Sequence, residues 1–426
     1  MIEMVEAQSE YNGDVFHRNG VTVINQEARD YVMQNNETKF DLVSLTLMES
    51  LPVFSLANSR IHSYIFTTEA LRDYASVLSH DGYISVVETS WPHMVKILGM
   101  LNEAWNQGLL SDGAVANDDS FFKHIFVCEI KEIPGEEYVP FRYLVLFRKS
   151  SIDPKTESLL SSRTLTNNHT ILLAPSGPRK LLHKETTELL NLAVATDDFP
   201  YFYHIQSMRK ENGGFLILLV SLLFLMLIIY IRSSGAQEKN MATSLRSAFY
   251  FSLTGSAFMM IESGLLYHAC FVLSIPTLAT AITLLGILTG AASSSWISAQ
   301  MDLSNRMIRT WMFLLISCLV IASISLPIFK EITTFRSLAI LVVMYGLGVL
   351  LGVAFPLGLR HFRDPKSSSV GWYYGFSALG TVVGVVLFLL VSEEWGIRAA
   401  LILGTGLYLC SFIFMGRVTS PLRSSQ

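Results

Sequence analysis

The sequence predicts two unlike parts, an α/β domain followed by an all-α bundle of about seven transmembrane helices. Three observations carry this. Of the 426 residues, 51% are hydrophobic and 15% charged, where a soluble globular protein carries roughly 25% charged residues. The imbalance lies in one half: Gly213–Gln426 holds 13 Lys+Arg and 7 Asp+Glu, a net of +6, and residues 1–212 hold 18 and 28, a net of −10. Finally, the apolar half divides into uncharged runs of about 20 residues, the length that crosses a bilayer. The acidic half instead alternates short apolar runs with helical patterns, the mark of an α/β sheet. It lacks the basic footprint of a nucleic-acid binder, so no nucleic-acid partner is expected.

Residues 1–150 are expected to form the α/β domain. Val21–Ile24 is β-branched and reads as a short strand; 28–35 reads as a turn or two of helix. Phe40–Leu47 is apolar in the manner of a buried parallel strand. Thr68–Ser79 sets Leu71, Tyr74, Ala75 and Leu78 on one helical face, with Thr67 or Thr68 as cap and Asp81-Gly82 as stop. Tyr83–Val87 is the next strand and Pro92–Gly108 the next helix, and His124–Ile130 and Phe141–Arg148 close the sheet. Residues 151–212 are read as a connector to the membrane, with Tyr201, Phe202 and Tyr203 as an interfacial aromatic belt. The first thirty residues are polar and mixed in charge, so no signal peptide is expected.

The membrane module is expected over 213–416, followed by a tail at 417–426. Its spans are Gly213–Ile231, two within Ser247–Ala299 broken near Ser274-Ile275-Pro276, Trp311–Phe329, Ser337–Leu359, Gly371–Ser392 and Ala399–Gly416. The pairs Gly286/Gly290, Gly348/Gly352, Gly371/Gly375 and Gly380/Gly384 have the small-xxx-small spacing that lets helix backbones approach. Glu262 is the ionisable group deep in a span. It reads either as a proton or cation site, with His268 near it, or as an acid bonded to a Ser or Thr of a neighbouring helix. The four cysteines form no CxxC or Cys/His cluster. They read as small apolar fillers, and no metal site or disulfide framework is expected.

With seven spans, ten Lys and Arg fall on the connectors facing away from the acidic domain and five on its own side. The positive-inside rule then puts that domain outside the cytoplasm. A nucleotide-type substrate requires the opposite, a cytoplasmic domain on an inner-membrane protein.

Several stretches carry a resemblance. Phe40-Asp41-Leu42-Val43, the helix start Tyr64–Tyr74, and Leu78–Gly82 before a strand look like the second half of a spermidine synthase-type domain. Ala195–Phe202, Phe258–Glu262, Phe355–Arg360 and Gly371–Gly380 fit the bacterial membrane-bound spermidine synthase-like family. The resemblance implies a partial Rossmann-type, methyltransferase-like domain before a multi-pass module. It implies S-adenosylmethionine or its decarboxylated form as cofactor and a polyamine or other small amine as acceptor. The chain departs from the family where the chemistry lies. No glycine-rich loop precedes Val21, so the strands that carry the cofactor are expected to be missing, and the chain reads as a fragment or a degenerate domain. Gln26-Glu27-Ala28 falls where the family contacts adenine, so Glu27 is the candidate cofactor residue, with a solvated acid or a neighbour of a helix N-cap as the alternative. Thr46 replaces the aspartate that deprotonates the amine, and threonine is no base near neutral pH. Glu49 takes the second acidic position and is the candidate for binding the amine. Tyr64 and Glu69 lie near a family motif, but Glu69 reads foremost as a first-turn acid on the helix dipole. Asp197 and Asp198 read as a cap or as partners of Arg209 and Lys210 at the membrane face, or equally as a turn with solvated acids.

Two functions compete. One is an aminopropyl or methyl transferase, inactive in this chain for want of the cofactor loop. The other is a transporter-like or scaffolding membrane module with a degenerate regulatory domain, associating with the bilayer and with further copies of itself. A chain without independent activity is the third reading.

Overall fold

The computed structural model describes residues 10, 13–46, 62–110, 118–131, 142–177, 194–202, 209–233, 238–300, 305–325, 335–362 and 370–415. In the α/β domain, helix α1 (Ala28–Gln34) leads into β1 (Phe40–Leu45); α2 (Thr68–Ser76) leads into β2 (Leu78–Glu88), and α3 (Trp91–Asn106) follows. Then come β3 (Ile125–Glu129), β4 (Tyr143–Arg148), α4 (Pro154–Thr166) and β5 (Thr170–Leu173). The sheet runs β1-β2-β4-β3-β5, with β1 and β2 parallel and every other pair antiparallel. Leu71, Tyr74, Ile97, Leu101 and Trp105 build the core on one face with Val86, Val127 and Val145. On the other face Leu160 of α4 covers Phe126 and Cys128.

Three expectations change here. Val21–Ile24 is not a strand: it is exposed coil, because no described strand offers it a ladder. Leu78–Gly82 is not a helix end and turn but the start of β2. Phe40 pairs with Leu78 and Leu42 with Tyr83, so the register slips at this point, and a side chain at Gly82 would press on the carbonyl of Phe40. The stretch expected as connector supplies α4 and β5, started by Asp153, whose carboxylate accepts from the N–H groups of Lys155 and Thr156.

Five helices among the described residues are long and apolar enough to cross a membrane. They lie in α5 (Arg209–Ser233), α6 (Glu238–Leu273), α7 (Pro276–Gln300), the pair α9 (Arg336–Leu351) and α10 (Ala354–Phe362), and α11 (Val370–Met415). Between α7 and α9, α8 (Asn305–Ser325) carries a shorter apolar stretch, Thr310–Leu319. Trp296, Phe313, Ile402 and Ile413 each stand more than 65% exposed, which water would penalise and lipid does not.

α11 consists of two helical arms joined at Gly396, whose φ of 87° and ψ of 170° are not helical. Its contacts with α6 give the direction of each arm. Gly380 and Gly384 meet Ser252 and Ser256, so the first arm runs parallel to α6. Leu401 meets Gly264, Gly404 meets Ile261 and Phe412 meets Tyr250, so the second arm runs back. α6 therefore lies inside this hairpin; 72% of its apolar window is buried, against 11% for α5 on the rim.

Of the four glycine pairs, three lie against backbone. Gly286 and Gly290 interlock with Gly348 and Gly352 between α7 and α9, and Gly380 and Gly384 seat on α6. Gly371 faces open space and Gly375 touches only the flexible end of Met226, so that pair makes no close approach. The break between α9 and α10 follows from Pro356, which has no N–H for the Gly352 carbonyl. Hydroxyls of neighbouring helices serve the carbonyls around it: Tyr408 to Leu351 (2.6 Å), Ser295 to Gly352 (3.3 Å) and Tyr250 to Ala354 (2.7 Å). A lipid-facing break would leave these groups unmet.

Candidate functional site

In an open α/β sheet, ligands bind outside the carboxyl ends of the parallel strands, where helix N-termini gather. Here α1 ends before β1 begins, α2 ends before β2 begins and α3 starts after β2 ends. The N-termini of all three helices therefore lie at the carboxyl ends of β1 and β2. The chain's own segment 194–202 fills that end. Asp197 accepts two parallel hydrogen bonds from Arg29 in α1 (2.7 and 2.8 Å) and one from the Thr67 hydroxyl that caps α2 (2.7 Å). The Asp197 N–H donates to Glu69 (3.0 Å), and the Ala195 carbonyl accepts from both N–H and hydroxyl of Thr68. From α3, Lys96 donates to the Tyr201 carbonyl (2.7 Å), and Phe202 stacks on Phe66 with ring centroids 4.6 Å apart.

Arg29 is the centre of this cluster. Its side chain is 2% exposed, and it also bonds Asp73 (2.8 Å) and the Tyr64 carbonyl (3.0 Å). Burial alone would lower its pKa; the Asp197 charge and hydrogen bond, with Asp73, reverse this and hold it above the ordinary value. Burial pushes Glu69 up, reinforced by the Asp197 charge, and lowers Lys96 to about 8.

The same end of the domain docks on the bundle. The ring of Phe271, from the end of α6, lies under the Arg29 guanidinium (5.5 Å) and against Tyr64 (4.9 Å). The Tyr64 hydroxyl donates to the Tyr267 carbonyl (3.3 Å). Asp30 pairs with Arg336 (2.8 Å), which also donates to the Val272 carbonyl at the end of α6. Tyr201 reaches Ser392 hydroxyl to hydroxyl (2.6 Å). At the hairpin tip, the Asp198 carbonyl accepts from the N–H of Ile397 and its carboxylate from that of Arg398, capping the second arm of α11.

The sequence-predicted residues scatter around this cluster. The Glu27 carboxylate accepts from the Asp30 N–H (2.9 Å), so Glu27 is itself the N-cap of α1 and not the neighbour of one. Thr46 is exposed, its hydroxyl bonded to Ser44, and Glu49 lies outside the described residues. Asp198 is a cap as expected, but Asp197 pairs with Arg29, and the side chains of Arg209 and Lys210 lie outside the described residues. The aromatic belt is not one: Tyr201 and Phe202 are fully buried, and Tyr203 lies outside the described residues. Glu262 is buried in α6 and makes no hydrogen bond or ion pair among the described residues, to a Ser or Thr or to any other group. His268 bonds the Gly264 carbonyl (2.9 Å); six residues on, it lies about 120° round the helix from Glu262. No cluster of three metal-ligating side chains occurs among the described residues, and their four cysteines are unpaired. Arg29 is the residue that sequence reasoning missed. Its signal was weak: one cation in the first turn of a short helix, where the helix dipole disfavours positive charge.

Comparison with protein-family models, curated proteins and solved structures finds no match to this chain.

Proposed function

We propose that this is a multi-pass membrane protein, similar to the membrane-bound spermidine synthase-like family, in which the bundle is the working part and the α/β domain is a non-catalytic cap locked onto it. One observation carries the reading: Asp197 of the chain itself lies at the N-termini of α1 and α2, where an anionic ligand of such a sheet would bind. Thr46, in the place of a catalytic aspartate, supports the same conclusion. A seven-span bundle is supported by the reversal at Gly396 and by α8 between α7 and α9. Without a nucleotide-type substrate, nothing opposes the positive-inside count, which places the cap outside the cytoplasm.

The transferase reading, aminopropyl or methyl transfer from S-adenosylmethionine or its decarboxylated form to a small amine, draws its support from the sheet. A parallel pair followed by an antiparallel pair, β1-β2-β4-β3, fits the second half of a Rossmann-type methyltransferase. Equilibrium dialysis of the detergent-purified chain against both labelled cofactors decides between the two. The cap reading expects no saturable binding and no product with spermidine-type acceptors. Saturable binding with product formation, lost in Glu27→Ala or Glu49→Ala, would overturn it.

A further inference from the structure

The bundle contains a cavity of about 200 Å³ between α7, α8 and the break that joins α9 to α10. Ser294, Ile297, Met307, Trp311, Val353 and Leu357 are among its walls, which are almost wholly apolar. The hydroxyl of Ser294 is turned back to the Ala291 carbonyl of its own helix (3.1 Å). An apolar cavity of about 150 Å³ already takes up a benzene molecule, and at membrane depth the molecule on hand is a lipid chain.

The cavity lies toward the end of the bundle away from the α/β domain, near the last turns of α7 and α10 and the first turns of α8. At that level Arg360 is exposed and donates to the Ser298 carbonyl (2.6 Å) beside the cavity. Basic groups beside a pocket between membrane helices recognise acidic lipid headgroups.

We propose that this cavity is a binding site for an anionic phospholipid. One acyl chain fills the apolar volume and the phosphate pairs with Arg360. The inference rests on the membrane reading of the bundle and not on what the α/β domain does.

The test is the thermal stability of the delipidated full chain in detergent, titrated with phosphatidylglycerol, phosphatidylcholine or inorganic phosphate. Phosphatidylglycerol should raise Tm with a half-saturating concentration at least tenfold below that of phosphatidylcholine, and phosphate should do nothing. Arg360→Gln should bring the two lipids to within twofold of each other. Val349→Phe, which fills the cavity, should abolish both responses; should it fail to fold, Arg360→Gln still decides. Equal responses to the two lipids in the unmodified chain would overturn the proposal, as would a phosphatidylglycerol response unchanged in Arg360→Gln.

Discussion

Replacing Arg29 by alanine should be among the most damaging single changes in the α/β domain. The guanidinium is 2% exposed and pairs with two carboxylates, Asp73 at 10% and Asp197 at 23% exposure. Removing one partner of a buried ion pair typically costs 3–5 kcal/mol, because charge is left behind without compensation. Here Asp73 keeps Arg72 (3.0 Å) and Asp197 keeps Thr67 (2.7 Å), so the lower end applies, about 3 kcal/mol. With a urea m-value of about 2 kcal/mol/M, that is a midpoint shift of about 1.5 M. Pulse proteolysis in mild detergent, following cleavage within the α/β domain, reads it directly. The triple variant Arg29→Ala, Asp73→Asn, Asp197→Asn removes the stranded charges and should recover at least half of the loss. A shift under 0.3 M (on the order of a fifth of that expectation) would refute the reasoning, and so would a triple variant no more stable than the single one.

Lys96 gives a pH signature. Its folded pKa of about 8 lies below the ordinary 10.5, so the unfolded chain holds more protons between these values and stability should rise with pH from 8 to 10. The full effect is about 3 kcal/mol; Lys96→Met should flatten that limb in denaturation profiles. Gly348→Ala should sharply lower the yield of folded protein on size exclusion, since its methyl would meet the Ile287 backbone, while Gly371→Ala should be neutral. Asp198→Ala should cost about 1 kcal/mol through the lost cap on the second arm of α11, read as a lower Tm in detergent. Glu262 has no described partner and should react with a lipid-soluble carbodiimide, the adduct detected by mass spectrometry and absent in Glu262→Gln; no adduct in the unmodified chain would mean the carboxyl is inaccessible.

The division into an α/β part and an apolar helical part was legible because composition and periodicity report burial directly. Thr67 as a cap, the break at Ser274-Ile275-Pro276 and the small-xxx-small spacing of the glycines in α7 and α9 could be read for the same reason: each is local or periodic. What failed was non-local. Val21–Ile24 has strand chemistry, but a strand needs a neighbour, and none is described. Leu78–Gly82 continues the helical pattern of α2, yet pairing with β1 draws it into the sheet. Tyr201 and Phe202 look like an interfacial belt by position and composition. They became core because residues 194–202 fold back over helix N-termini more than ninety residues earlier, as in Lys96 to Tyr201. The cluster around Arg29 joins positions 29, 67, 73 and 197, a set that no single-chain pattern brings together.

The closure of the sheet end by residues 194–202 is the central claim, and hydrogen–deuterium exchange of the full chain in lipid nanodiscs tests it most directly. The amides of Thr196, Asp197, Phe199 and Tyr201 all donate hydrogen bonds within this plug or to Glu69. They should exchange as slowly as the amides of β2 and β4. Exchange within seconds, at the rate of an open loop, would contradict the account and leave the carboxyl ends of β1 and β2 open to a ligand.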